Sequence, residues 1–246
     1  MKDAKERVYD GVYGRKGFSY ESSRGVIGFL YRKLLRFEVN LCQVVCNLLP
    51  SGKQRLLDVG CGDGDFIFRA YDKFKEFYGV DVSPVRIERA KNRAKERLDR
   101  DNIHFYKCDA DEGFPFNNSF FDAVSCIAVL EHVLNPPTVV EEIHRILKPG
   151  GTFIVQVPNI AWLPYRIQLL LGKLPKTGGV YLGADWEHLH NFTQSTICQL
   201  LTEKGFAINT ISCSGIFANY RRWWPSTLAG DLIVKSVSPL AHSGET

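Results

Sequence analysis

The sequence predicts an α/β fold in which one mostly parallel sheet carries helices on both faces. Two features lead there. From Arg55 onward, short β-rich runs alternate with helical stretches, the order that parallel strands and crossover helices require. Within that alternation residues 121–127 are nearly continuously apolar, as expected of a strand buried on both faces. A length of 246 residues suits one such domain with additions, so residues 1–246 read as a single unit.

The elements follow in order. In residues 26–49, Ile27, Leu30, Leu34, Leu41, Val45 and Leu48 recur every three or four positions among Arg32, Lys33, Arg36 and Glu38. That pattern is an amphipathic helix against the core, and it makes residues 1–50 a helical cap. Residues 56–59 form the first strand, ending at Asp58-Val59 before the loop Gly60-Cys61-Gly62-Asp63-Gly64, and residues 65–74 the first helix. Residues 77–81 form a second strand ending in Asp81. Ser83 then caps, and Pro84 opens, a helix to about Leu98. Residues 103–107 make a third strand before Cys108-Asp109-Ala110. After the fourth strand, Pro136-Pro137 starts a helix ending near Leu147, and Lys148-Pro149-Gly150-Gly151 turns into strand 152–157. Residues 158–191 lose this regularity and are too long for an ordinary connection, so they read as an insertion covering a binding site. Thr193 caps a last helix closed by Gly205, and residues 206–213 and 232–237 supply the final strands.

Composition excludes several classes. An apolar fraction of 45% and a charged fraction of 24% are those of a soluble globular protein. A net charge of +4 is too small to imply nucleic-acid binding by itself. The seven cysteines include no CxxC pair, which argues for a reducing, cytoplasmic setting without a disulfide or zinc framework. The first residues are charged and lack the apolar centre of a signal peptide, and no uncharged run is long enough to span a bilayer.

The chemistry sits at the strand ends. Glycines at 60, 62 and 64 allow backbone to approach a ligand closely. A dinucleotide fingerprint needs glycine at position 65, where Asp65 stands, so the loop does not read as a pyrophosphate cradle. Asp58 is placed to meet an ammonium group across the loop, or else to cap loop amides. Asp81, 19 residues after Gly62, can accept from both hydroxyls of a ribose, or serve as an acid at a helix N-terminus. Asp109 can accept from an adenine amine beside Ala110, with Asp111 and Glu112 as rivals. Amine, ribose and adenine in that order describe S-adenosylmethionine lying across the carboxyl edge of the sheet.

Residues 56–66, 79–83, 108–133 and 147–152 together resemble the class I S-adenosylmethionine-dependent methyltransferases of the small-molecule type. The resemblance implies a Rossmann-like sheet of seven strands whose last is antiparallel, so that residues 232–237 insert beside residues 206–213. It implies S-adenosylhomocysteine as product, and a cofactor site built from Asp58, Gly60, Cys61, Gly62, Asp81, Val82, Asp109, Ala110 and Ile127. Tyr9-Asp10-Gly11-Val12-Tyr13-Gly14 resembles the segment that closes over the cofactor. Tyr9 or Tyr13 could face the sulfonium there, or simply anchor the segment.

The segment Leu130-Glu131-His132 resembles that of quinone-biosynthesis O-methyltransferases, some of which add an upstream glutamate to hold a divalent cation. Here Ala128 stands at that position, so the set is incomplete and no metal is expected. His132 remains either a general base or a group orienting the helix start. Cys126 reads as buried strand, and Asn135-Pro136-Pro137 as a helix start. In Trp186-Glu187-His188-Leu189-His190-Asn191-Phe192-Thr193, residues 186, 188 and 190 would share one face if extended. His188 and His190 are candidates for acceptor binding or base catalysis, against structural packing and against a metal for which sequence offers no third ligand nearby.

Residues 26–49, 159–174 and 216–228 hold apolar and aromatic side chains beside Arg221-Arg222-Trp223-Trp224. They read either as a closed hydrophobic pocket with helical cover or as the mark of a small apolar acceptor, a lipid or quinone precursor, methylated on oxygen or nitrogen, with peripheral membrane contact. The rival is RNA methylation along the basic stripe Arg86, Arg89, Lys91, Arg93, Lys95, Arg97 and Arg100, whose plainer reading is a solvated face. A cofactor-binding protein without catalysis is the third alternative.

Overall fold

Chain order runs β1 (Glu38–Val39), α1 (Leu41–Leu48), β2 (Lys53–Val59), α2 (Asp65–Arg69), β3 (Phe74–Asp81), α3 (Pro84–Leu98) and β4 (Ile103–Lys107). A 3-10 turn (Ala110–Glu112) leads to β5 (Phe121–Ile127), α4 (Pro136–Ile146), β6 (Leu147–Pro158) and α5 (Leu163–Leu170). Then come α6 (Gln194–Glu203), β7 (Ala207–Ser212), β8 (Gly215–Ile216), α7 (Ala218–Arg221), α8 (Pro225–Leu228) and β9 (Asp231–Val237). The computed structural model describes residues 38–98, 101–175 and 188–240. Tyr9, Tyr13, residues 26–37 of the expected cap, and Trp186 and Glu187 lie outside the described residues.

Seven strands form one sheet in the order β4-β3-β2-β5-β6-β9-β7. β4 through β6 pair in parallel, and β9 runs antiparallel to both β6 and β7. The inserted antiparallel strand is the one expected from residues 232–237.

Strand alternation divides the core between two faces. Leu57, Val59 and Val124 face a layer with Val139, Val140 and Ile143 of α4 and Ile197 and Leu201 of α6. Leu56, Ala123 and Ile154 face Val45 of α1, Ile67 of α2 and Ile87 and Ala90 of α3. β5 contributes to both, which is why it lacks a polar alternation. Caps fix two helix entries: Ser83 Oγ accepts from Arg86 N at 3.3 Å, and Thr193 and Thr196 form a capping box at α6. Each cap stabilises its helix by about 1 kcal/mol.

Four boundaries differ from the sequence reading. The first helix ends at Arg69, and Phe74, buried edge-on against Phe77, begins β3 instead of closing the helix. β2 starts at Lys53, because Lys53 pairs with Phe74 and Arg55 bonds Glu76 at 2.9 Å; lateral pairing extends a polar run that no pattern marked. The Lys148–Gly151 turn lies inside β6 as a bulge, where Phe121 pairs with Leu147 and Ala123 with Thr152. There Lys148 Nζ holds both Asp122 oxygens at 2.9 Å. Within the stretch read as one amphipathic helix, Glu38–Val39 are strand, pairing antiparallel with β8, and α1 begins only after the cap Asn40.

Candidate functional site

The carboxyl ends of β2, β3, β4 and β5 meet around a cleft of about 290 Å³. Its wall takes Val59 and Gly60 from β2 and its loop, Val80, Asp81 and Val82 from β3, and Cys108, Asp109 and Ala110 after β4. Ile127, Ala128 and Val129 come from the end of β5, with His132 and Val133 beyond them and Arg86 from α3.

The glycine loop is shaped by the chain itself. Gly60 has φ +71° and Gly62 φ +53°, conformations that side chains rarely adopt. A Cβ on Gly60 would collide with Val129 Cγ2, and one on Gly62 with the Arg86 guanidinium. So the space over these glycines is filled partly by protein side chains, where the sequence suggested only ligand.

Asp81 is buried and serves two backbone donors. Its Oδ2 accepts from Gly62 N and its Oδ1 from Ser83 N, both at 2.9 Å. Each oxygen keeps a further lone pair, and the residue lines the cleft. The helix-capping and ligand-facing readings of Asp81 are therefore compatible. Asp109 Oδ1 accepts from Asp111 N at 3.1 Å, capping the 3-10 turn while facing the same cleft. Its rival Asp111 is committed elsewhere, accepting from Leu134 N at 2.9 Å and Asn135 N at 3.1 Å ahead of α4. Glu112 lines an adjoining hollow on the far side of Asp109.

Asp58 departs from expectation. It is buried, accepts from Ser125 Oγ at 2.8 Å, and is absent from the cleft wall. Burial pushes its carboxyl up to about 7. Cys61 and Gly62 are also absent from the wall. The Cys61 thiol packs against Gly79, whose missing side chain makes room for it, and burial raises its pKa. Val82, Ala110 and Ile127 do stand in the wall.

At the end of β5 the chain turns sharply through Ala128, which has φ +53°. His132 N bonds Val129 O at 2.9 Å, closing the turn that presents His132 to the cleft. The Glu131 main chain receives the 188–190 loop: Leu189 N and His190 N donate to its carbonyl at 2.8 and 3.1 Å. This brings the His188 ring to 4.9 Å from the His132 ring, edge to face. The Glu131 side chain is 1% exposed, and burial pushes its carboxyl up to about 7. Its Oε2 has no hydrogen-bond partner among the described residues. His190 takes a different direction, its ring 6.4 Å from that of Phe192 and outside the cleft wall. Two of the three candidate histidines are thus brought together and the third is not.

Sequence reasoning missed Arg86 and Val129. Arg86 was grouped with a solvated stripe, yet it lines the cleft and reaches Asp63 at 3.4 Å. Its position three residues after the Ser83 cap was the available signal, since the first turn of α3 abuts the rim. Arg93 likewise bonds Asp63 O at 2.7 Å and Asp65 at 2.5 Å, so part of the stripe ties α3 to the glycine loop. Val129 gave no sequence signal.

Residues 50–211 match the family model described as a methyltransferase domain. The chain is 32% identical over 171 residues to the demethylmenaquinone methyltransferase of Leptospira interrogans, covering 63% of this chain and 68% of that protein. It is 32% identical over 170 residues to the ubiquinone biosynthesis O-methyltransferase of Alkalilimnicola ehrlichii, covering 65% and 66%. A crystal structure of an S-adenosylmethionine-dependent methyltransferase from Thermotoga maritima superposes with a TM-score of 0.61 at 20% identity. That superposition covers 97% of this chain and 100% of the other, and it speaks for the fold.

Proposed function

The chain belongs to the class I S-adenosylmethionine-dependent methyltransferases, and on that premise we propose that it methylates a small, largely apolar acceptor on oxygen or nitrogen. The observation that carries this reading is the cleft: carboxylates from two successive strand ends on one side, His132 on the other, and apolar walls between. The two relatives named for quinone biosynthesis support an acceptor of quinone-precursor type.

The residues present fit S-adenosylmethionine. Asp81 has the lone pairs to take the ribose hydroxyls, and Asp109 can take the adenine amine. Val82, Ala110, Ile127 and Val133 give the adenine ring an apolar berth. Asp58, behind the loop, acts on the ammonium end through its field rather than by lining the cleft.

Bound there, the cofactor supplies a methyl group to an acceptor lone pair, the carbon–sulfur bond breaking with its electron pair left on sulfur. The chain contributes alignment and exclusion of water. Where the acceptor is a hydroxyl, an imidazole nitrogen of His132 takes its proton. A neutral amine needs positioning alone.

The insertion side offers cover for an apolar acceptor and a surface for a membrane. Asn159 is fully buried and its side chain donates to Ala229 O at 2.8 Å, while Trp162 packs against Gly230, tying the approach to α5 to the α8 turn. Ile160 N bonds Phe192 O at 3.0 Å, linking both to the 188–192 loop beside His132. Among the described residues no helix is long and apolar enough to cross a membrane, so the contact proposed is peripheral.

The test is incubation with cofactor labelled in its methyl group and cell extracts. Label should enter an organic-soluble product, survive ribonuclease and yield S-adenosylhomocysteine. Label in RNA, or in nothing, overturns the reading. Asp81→Ala should weaken cofactor binding at least tenfold by calorimetry, and unchanged affinity would contradict the ribose assignment.

A further inference from the structure

We propose that Glu131, His132 and His188 form a divalent-metal site in the wall of the cofactor cleft. Each residue offers one donor atom, and the three donors lie within 4.8 Å of one another. Two come from the turn after β5. The third arrives on a separate loop held there by the Leu189 and His190 amides on the Glu131 carbonyl. The two carrier segments are therefore fixed to each other by backbone, independently of any ion.

The second observation is the Glu131 carboxylate. It is 1% exposed and its Oε2 has no partner among the described residues, in a structure whose other buried acids, Asp58 and Asp81, are hydrogen-bonded. Buried polar atoms are nearly always paired, and an orphan requires a reason. A cation between Glu131 and the two imidazoles supplies one.

Donor chemistry narrows the ion. Two imidazoles and one carboxylate suit zinc, manganese, cobalt or ferrous iron, and fit poorly with the all-oxygen sets of calcium and magnesium. Ligands around zinc stand at about 2.0–2.2 Å from the metal, hence roughly 3–3.5 Å apart, so side-chain rotations of about 1 Å close the site. The set is this chain's own. Ala128 offers no ligand at the upstream position used by some relatives, and His188 from the other loop completes the three.

Three protein ligands leave positions open for exchangeable oxygens. Because His132 lines the cleft, those positions would take an oxygen of the acceptor, which favours a hydroxyl-bearing one; with an ion bound, the metal rather than a free His132 imidazole would make that hydroxyl more acidic. This last step rests on the methyl-transfer reading; metal binding itself does not.

The test uses chelator-stripped full-length protein titrated with Zn²⁺ by calorimetry and with Co²⁺ by visible absorption. One equivalent of metal should bind, with a cobalt ligand-field band. His188→Ala should lose that band and weaken binding at least tenfold, whereas His190→Ala should bind within twofold of the parent. Absence of uptake by protein that still binds S-adenosylmethionine overturns the site, as does uptake indifferent to both His188→Ala and Glu131→Gln. If His188→Ala fails to fold, judged by thermal melting and cofactor binding, Glu131→Gln decides. Metal uptake without cofactor binding would instead sink the methyl-transfer reading and leave the site standing.

Discussion

Asp58 shows how a buried acid can favour function at the expense of the ligand-free fold. Burial holds its folded pKa at about 7, against an ordinary value of 3.8. Between those pH values the folded chain binds more protons than the unfolded one, so this group makes stability fall as pH rises, reaching its lower plateau above 7. Asp58→Asn keeps an acceptor for Ser125 and removes the titration. Without cofactor, the variant should melt at higher temperature than the parent at pH 8 and show a flatter profile from pH 4 to 8. Its affinity for S-adenosylmethionine should drop, because the ammonium loses a counter-charge. An unchanged pH profile would mean that the carboxyl is not held protonated. Asp81 and Asp109 were readable because each stands where a strand pattern ends, and His132 and His188 because of the motifs they sit in. The place of Arg86 in the cleft and the meeting of His188 with His132 were not, since a long side chain folding back over a loop and a contact across some 56 positions leave no local period.

The glycine loop and the turn after β5 are interlocked, because Val129 fills the volume that any side chain at 60 would need. Gly60→Ala therefore combines a left-handed alanine with a clash and should destabilise by about 2 kcal/mol or more. At roughly 2–4 °C per kcal/mol for a chain of this size, the midpoint should fall by about 5 °C. Adding Val129→Ala should recover part of the loss, as thermal melts of the double variant would reveal; strict additivity would mean that the two elements do not touch. The glycines were legible as glycines, but what presses on them was not. The same holds for β2 and β6. Their apolar centres announced them, while Lys53 and Lys148 joined through ion pairs and lateral bonds that depend on which strand lies alongside.

Across the molecule, alternation marked the strands and the rim location of the site, the family resemblance implied the inserted antiparallel last strand, and the outer surface was readable only as composition. Leu170, Leu174, Trp223 and Trp224 are exposed, and residues 206–230 contain no acid while carrying Arg221 and Arg222. Tryptophan beside arginine suits the interface of an anionic bilayer. The protein should co-sediment with vesicles rich in anionic phospholipid and much less with neutral ones, and Trp223→Ala with Trp224→Ala should reduce the bound fraction severalfold. Equal recovery from both vesicle types, or from the variant, would rule the surface out as a membrane contact.

The placement of β9 carries a consequence for biogenesis. As the nascent chain leaves the ribosome, β6 emerges well before, and β7 shortly before, the segment that must slide between them. Until Asp231–Val237 is synthesised, β6 presents an open hydrogen-bonding edge and β7 has no neighbour in the sheet. Such an edge invites pairing with other chains. Translation arrested short of residue 231 should therefore yield a product that aggregates, rather than a smaller working enzyme.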